Sequence, residues 1–120
     1  MQPTLAAGCL CGAVRYEIEG KLHHTTHCHC GMCRKADGAA FATYASLAQR
    51  RFRLKSGESA LRAFRSSESV TREFCGRCGS SLFWSDGEHP KAIGVAPGTL
   101  DGDPSGRPEA HIYAKDRLVE

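Results

Sequence analysis

Short segments that alternate apolar and polar residues dominate this chain. In residues 12–20, GAVRYEIEG, the apolar side chains of Val14, Tyr16 and Ile18 recur at every second position, with charged residues between them. A period of two is typical of a strand with one buried face, and Gly20 marks the end of this strand. Comparable segments bounded by glycine or polar turns predict further strands at residues 22–30, 39–47, 50–57 and 60–67.

The second half of the chain continues the same pattern. Residues 69–85, SVTREFCGRCGSSLFWS, predict two strands joined by a turn that contains a Cys-x-x-Cys motif. Residues 91–100 predict an apolar strand broken at Pro97-Gly98, residues 101–110 a loop, and residues 111–114 a last short strand. Helical turns are expected only within residues 47–50 or 114–120. Many short strands without a helical period predict an all-β domain.

Composition narrows the class of protein. The 120 residues are 41% hydrophobic and 24% charged, which is ordinary for a single globular domain. The net charge of +3 is mild and scattered, which argues against nucleic acid as a partner. No apolar run is long enough to cross a membrane, and the first eight residues lack the features of a signal peptide. We therefore expect a soluble, cytoplasmic protein without membrane contact.

Seven cysteines are the most informative residues, and they occur in tight groups. An odd number in such groups, in a chain expected to be cytoplasmic, disfavours disulfides and favours metal or redox chemistry. We predict that four of them form a structural site of the closed, tetrahedral zinc type, namely Cys9, Cys11, Cys75 and Cys78. An ion bound there would tie together segments about sixty residues apart, and its binding would offset the entropy of closing that loop.

The other three cysteines, Cys28, Cys30 and Cys33, lie in the segment CHCGMC. In an extended strand Cys28 and Cys30 point to one side, and a turn through the following glycine and methionine brings Cys33 to the same ion. Three protein ligands with an open fourth position are typical of catalytic zinc. Arg34 and Lys35 come directly after Cys33 in the sequence. We expect them to reduce the negative charge of the thiolates or to bind a carboxylate of the ligand.

Other arrangements remain open at this point. A histidine can supply a fourth ligand and close the second site, and the candidates are His23, His24, His27, His29, His89 and His111. The two cysteine groups can also pair differently, or hold a single metal with spare thiols. Arg34 and Lys35 can equally be a solvated surface pair.

Three motifs occur together in the sequence: GCLCGAVRYE, CHCGMCRK and REFCGRCGSSLFW. With the later segments VAPGTLD and PEAHIY, the sequence resembles the glutathione-dependent formaldehyde-activating enzyme (GFA) family, which includes centromere protein V. The resemblance runs from about Gly8 to Tyr113. It implies one zinc-binding domain over residues 5–115 and a tail over residues 116–120. The fold that it implies is an all-β, Mss4-like arrangement of small antiparallel sheets held by zinc.

The resemblance also implies how the cysteines divide. The family's structural zinc ligands correspond to Cys9, Cys11, Cys75 and Cys78, and the ligands of its second zinc correspond to Cys28, Cys30 and Cys33. Two zinc ions per chain are therefore expected, the second completed by glutathione or another small thiol. The implied activity is that of a carbon–sulfur lyase, seen in reverse as the joining of formaldehyde to glutathione. The second-zinc cysteines are then the catalytic residues, with Arg34 and Lys35 as candidates for substrate binding.

The implied chemistry requires a proton donor, because joining a thiol to an aldehyde leaves an alkoxide. His29 and His111 are candidates, although a structural hydrogen bond for His29 and a strand anchor for His111 are the alternatives. Two other functions remain open. One is a non-catalytic zinc module that binds proteins or small thiols, and the other is a redox or metal-storage protein that uses the exposed thiols.

Overall fold

The structure, a computed structural model, describes residues 3–102 and, for the backbone, residues 108–112. These residues form ten strands: β1 Thr4–Gly8, β2 Arg15–Glu19, β3 Thr25–Cys28, β4 Ala42–Ala48, β5 Phe52–Ser56, β6 Leu61–Arg65, β7 Val70–Cys75, β8 Ser81–Asp86, β9 Ala92–Val95 and β10 Pro108–Ile112. One helix, α1, spans Gly31–Asp37, and 3-10 turns lie at Gln49–Arg51, Glu58–Ala60 and Pro97–Thr99. None of the described helices is long and apolar enough to cross a membrane.

The strands form two sheets. The smaller sheet has the order β1-β2-β5 and is antiparallel throughout. The larger sheet has the order β10-β3-β4-β9-β8-β7-β6, and its pairs are antiparallel except for the parallel pair of β10 with β3. The all-β fold class predicted from the short alternating segments is therefore confirmed.

Aromatic side chains join the two sheets. The apolar face predicted over residues 12–20 is fully buried, with Tyr16 at its centre. The Tyr16 ring on β2 meets the ring of Phe83 on β8 edge-on, with centroids 4.9 Å apart, and Phe52 on β5 lies 5.0 Å from Phe83. The Tyr16 hydroxyl shares a hydrogen bond of 2.5 Å with Thr99 Oγ1, which satisfies a polar group inside the core. Burial of the Phe83 ring contributes roughly 1.5–3 kcal/mol, and the partly buried Phe52 contributes less.

Helix α1 is absent from the sequence-based prediction, which placed a simple turn there. The turn at Gln49–Arg51 agrees with the helical turn predicted within residues 47–50, whereas residues 114–120 lie outside the described residues. Seven residues make about two turns of helix, too few for a hydrophobic period to emerge. The available signal was Gly38, which caps the helix in the left-handed conformation with φ of +62°.

One strand and one strand boundary also differ from the prediction. Strand β1 was not predicted because its sequence, TLAAG, does not alternate, yet it pairs along its whole length with β2. The loop predicted over residues 101–110 is wrong at residues 108–110, where β10 pairs with β3 despite the glycine- and proline-rich sequence before it. The predictions for residues 113–114 and for the tail over residues 116–120 lie outside the described residues.

Gly57 is expected to be a sensitive position for stability. It precedes the Glu58–Ala60 turn with φ of +89°, and a Cβ there would lie 2.6 Å from the Cα of Val14. Gly57→Ala therefore combines left-handed strain with a clash against backbone, and we expect it to lower the free energy of unfolding by about 3 kcal/mol. Thermal unfolding should show a loss of about 10 °C in Tm.

The matched control for this prediction is Gly38→Ala. Gly38 also has a positive φ, but a Cβ there would meet nothing within 4 Å. Only the conformational strain remains, so the expected loss is about 1 kcal/mol. Equal losses in the two variants would show that the contact with Val14 does not limit the backbone at Gly57.

Candidate metal centre

The first cysteine group brings two distant turns together. Cys9 and Cys11 follow β1, whereas Cys75 ends β7 and Cys78 lies in the turn before β8. Their four Sγ atoms all lie within 4.8 Å of one another, with Cys9 to Cys11 at 3.6 Å and Cys11 to Cys75 at 3.8 Å. Thiolates bound tetrahedrally at a Zn–S distance of about 2.3 Å stand about 3.8 Å apart. The group therefore has the spacing to hold a metal ion.

Backbone donors in the two turns point at these thiols. The N–H of Val14 donates to Cys9 Sγ at 3.3 Å, and the N–H of Arg77 donates to Cys75 Sγ at 3.4 Å. Gly12, with φ of +80°, closes the first turn by donating its N–H to the Cys9 carbonyl at 3.1 Å. Hydrogen bonds of this kind favour the thiolate, which is the form of cysteine that binds metal.

Ser80 connects the two turns. Its hydroxyl oxygen accepts from the N–H of Leu10 at 3.0 Å and lies 3.2 Å from Cys78 Sγ. Hydrogen bonds from the Ser80 hydroxyl and then from its backbone lower the pKa of Cys78 to about 5. Ser80 is thus a supporting residue that orients one ligand and holds the opposite turn against it.

The second cysteine group is built by the end of a strand and the start of a helix. Cys28 ends β3, Cys30 is the N-cap of α1, and Cys33 lies in the first turn of that helix. Cys28 Sγ and Cys30 Sγ are 3.5 Å apart, and the N–H of Cys33 donates to Cys30 Sγ at 3.4 Å. All three Sγ atoms lie within 4.8 Å of one another. The structure thus brings the cysteines together in the sets of four and three expected from the sequence.

Burial around the second group disfavours free thiolates. Cys28 and Cys33 are buried, and burial raises the pKa of the Cys28 thiol to about 12. Ionised thiols this close repel one another strongly in a partly buried site. A bound metal ion supplies the missing positive charge and makes the deprotonated form the stable one. Three thiolate sulfur atoms suit zinc, which is one of the metals that soft ligands of this kind bind.

Among the residues whose side chains the structure describes, no histidine, aspartate or glutamate joins the three thiols as a fourth ligand. This applies to five of the six histidines considered from the sequence: His23, His24, His27, His29 and His89. The side chain of His111 lies outside the described residues. Among the described side chains, the three-cysteine group therefore has no fourth protein ligand.

Arg72 approaches the second group from β7, and the sequence analysis did not select it. The side chain is 8% exposed, its Nη2 donates to Cys33 Sγ at 3.5 Å, and its Nε donates to Ser66 Oγ at 3.0 Å. A guanidinium beside a thiolate offsets part of the negative charge of a three-sulfur site. In the sequence, Arg72 is marked only by its position at the start of the REFCGRC motif, in which the cysteines alone were selected as site residues.

A pocket of about 620 Å³ lies beside the three-cysteine group: Arg72, which donates to Cys33, lines it, although none of the three cysteines does. Met32, between two of the cysteines, is 48% exposed and forms part of its apolar wall together with Phe64, which is 63% exposed. The polar groups that line it include Lys35, Asp37 and Tyr44. This volume and this mixture of apolar walls with a few polar groups are typical of a small-molecule site.

Arg34 and Lys35, the two basic residues that the sequence suggested for substrate binding, differ in their relation to the pocket. Lys35 lines the pocket, whereas Arg34 donates its Nε to the carbonyl of His29 at 3.1 Å. His29 is 3% exposed, and its ring lies 5.1 Å from that of Phe41. Substrate binding by Arg34 or Lys35 stays a prediction, but Lys35 is the residue of the two that lines the pocket.

A comparison with protein-family models matches residues 4–116 to the glutathione-dependent formaldehyde-activating enzyme (GFA) family. The chain belongs to the GFA family. The match covers nearly the whole chain, which confirms the resemblance drawn from the three cysteine motifs. The all-β sheets of this GFA chain are consistent with the Mss4-like fold of the family, whose members bind zinc.

A solved structure shares the fold of this GFA chain. The crystal structure of a Rhodobacter sphaeroides protein, a structural genomics target, superposes with a TM-score of 0.69 and 26% sequence identity. The match covers 81% of this chain and 88% of that one. The arrangement of strands is therefore shared over most of both proteins.

Ser80 is expected to strengthen metal binding by the four-cysteine group. Ser80→Ala removes the hydroxyl that lies 3.2 Å from Cys78 and accepts from Leu10, so the metal affinity should fall about tenfold or more. Competition with a chromophoric chelator, with zinc as the probe, measures that affinity. Ser46→Ala, at an exposed serine on β4 that pairs with Gly94 on β9, is the control and should not change it. Equal affinities in the two variants would remove Ser80 from the metal site.

Proposed function

We propose that this protein is a zinc-dependent carbon–sulfur lyase that acts on the adduct of a small thiol, such as glutathione, with an aldehyde. Membership of the GFA family supports a glutathione- and formaldehyde-related function. The observation that carries the proposal is the three-cysteine group, which lacks a fourth ligand among the described side chains and adjoins a pocket of about 620 Å³. A non-catalytic zinc module is the alternative.

In this proposal the protein binds two zinc ions with different roles. The structural ion is held by Cys9, Cys11, Cys75 and Cys78, and the second ion by Cys28, Cys30 and Cys33. The second ion would supply a Lewis-acidic position at which a substrate thiol ionises at neutral pH. The spacing of the sulfur atoms in both groups supports this assignment.

The chain's own residues would bind and orient the substrate. Arg72 holds Cys33 in place and reduces the net negative charge that an incoming thiolate would meet. Lys35 lines the same pocket and presents an ammonium group to a substrate carboxylate. Met32 and Phe64 form apolar walls of the pocket that can contact the apolar parts of a substrate. Holding thiol and aldehyde side by side removes much of the entropic cost of their encounter.

The two metal groups should differ in their effect on stability. The four-cysteine group joins residues up to about 70 positions apart, and closing a loop of this size costs the unfolded chain about 4 kcal/mol of entropy by the relation used for cross-links. The three-cysteine group spans six residues, for which the same relation gives about 2 kcal/mol. Loss of the first ion should therefore endanger the fold, and loss of the second mainly the activity.

The decisive experiment compares the purified protein with Cys33→Ser and Cys75→Ser. We expect about two zinc ions per chain in the unmodified protein. Cys33→Ser should keep one ion and its circular dichroism spectrum but lose at least 100-fold of the rate at which glutathione and formaldehyde interconvert with their adduct. Cys75→Ser should fail to fold. The same collapse in both variants would contradict two separate roles, and a folded, zinc-loaded protein without activity would favour the non-catalytic module.

Lys35 provides a test of how the substrate is held. We expect Lys35→Ala to raise the KM for glutathione two- to fivefold with little change in kcat, because an exposed ammonium contributes modestly to binding. The effect should shrink at high salt, where such charges are screened. Lys91→Ala, at an exposed lysine not among those that line this pocket, is the control. Equal KM values for the two variants would place the substrate carboxylates elsewhere.

A further inference from the structure

The proposed reaction needs a group that exchanges a proton with the adduct oxygen. Among the described side chains, no histidine that the sequence suggested as proton donor lines the pocket. His29 is 3% exposed and packs beside Phe41, and it is not among the residues that line the pocket. The side chain of His111 is outside the described part of the chain. The pocket itself, however, contains a carboxylate close to the cysteines along the same helix.

That carboxylate belongs to Asp37. Cys33 and Asp37 are four residues apart on α1, so their side chains lie on the same face of the helix with Cβ atoms roughly 5–6 Å apart. Asp37 lines the pocket, and the hydroxyl of Tyr44 on β4 donates to its Oδ1 at 3.4 Å. Arg72, which donates to Cys33, also interacts electrostatically with Asp37. Arg72 therefore links Cys33, a proposed metal ligand, to the carboxylate of Asp37.

The surroundings of Asp37 suit a group that gains and loses a proton. Burial raises its pKa above the ordinary value, whereas the positive charge of Arg72 and the hydrogen bonds from Tyr44 and Ser81 act in the opposite direction and are smaller. A carboxyl group with a raised pKa in a pocket is a recurrent arrangement for acid–base catalysis. Glu73 is the other carboxylate that lines this pocket, but it lies on β7 rather than on the helix that carries Cys33.

We propose that Asp37 is the catalytic acid–base of the reaction, a role that rests on the proposed function. In adduct formation the substrate thiolate attacks the aldehyde carbon, the C–S bond forms, and the π electrons of the C=O bond move to oxygen. Asp37, which has taken a proton from the substrate thiol as that thiol ionised, gives the proton to that oxygen and returns to the carboxylate. It regains a proton from the next substrate thiol as that thiol ionises, so thiol and aldehyde give the adduct with no further reagent. The lyase direction is the reverse.

The test uses the full-length, zinc-loaded protein and its Asp37→Asn variant, which keeps an oxygen acceptor for Tyr44. The probes are formaldehyde and glutathione, and NMR exchange measures how fast they interconvert with their adduct. Binding of glutathione is measured separately, by the change it causes in the visible absorption of the cobalt-loaded protein. We expect kcat to fall about 100-fold or more in Asp37→Asn while the Kd for glutathione stays within twofold.

Two further variants separate proton transfer from other effects. Asp37→Glu restores a group that can be protonated, and we expect it to recover at least a tenth of the original kcat. Glu73→Gln removes the same charge from the same pocket, and its loss of kcat should stay below fivefold. A merely structural role for Asp37 would leave Asp37→Glu no better than Asp37→Asn.

Several results would overturn the proposal. One is an Asp37→Asn variant whose kcat stays within threefold of the unmodified protein. Another is a loss of glutathione binding in proportion to the loss of rate, and a third is an equal loss in Glu73→Gln, which would indicate a charge effect. If the unmodified protein binds glutathione at cobalt but accelerates nothing, the lyase function itself fails, and the role of Asp37 fails with it.

Discussion

Repulsion between closely packed thiolates is the constraint on which this structure depends. Two thiolates 3.6 Å apart, the separation of the Cys9 and Cys11 sulfurs, repel by about 4–5 kcal/mol at an effective dielectric constant of 20. Seven cysteines in two such groups are compatible with a stable fold only if the thiols stay protonated or share a cation. The backbone N–H groups directed at the sulfurs favour ionisation, which makes metal binding the consistent solution.

The same chemistry has different consequences in the two groups because their topology differs. The four-cysteine group links the turn after β1, in the smaller sheet, to the turn between β7 and β8, in the larger sheet. It therefore supplements the contact of Tyr16 and Phe52 with Phe83, which joins the sheets through the core. The three-cysteine group links only the end of β3 to the start of α1. A metal ion bound there would therefore contribute less to the architecture than one bound by the four-cysteine group.

The sequence was sufficient to predict what depends on local pattern or on residue type. Alternation over residues 12–20 predicted a strand that is fully buried on one face, and cysteine spacing predicted the groups of four and three. Arg72 was not predictable, because its approach to Cys33 depends on β7 packing beside α1, residues 39 positions apart. The strand predicted at residues 111–114 agrees with β10 at residues 111–112, but residues 108–110 were missed because their pairing with β3 outweighs a local composition typical of loops. In each case a contact distant in sequence decided the outcome.

Helix α1 shows why a small error in local structure matters for function. A turn after Cys30 would bring Cys33 to the metal equally well, so the cysteines alone do not distinguish a turn from a helix. The helix has one consequence that a turn lacks, because it places Asp37 on the face of Cys33 and directs it into the pocket. The left-handed Gly38 then ends the helix, and β4 returns Tyr44 to the same carboxylate. One short helix thereby unites the metal ligand, the carboxylate and the pocket.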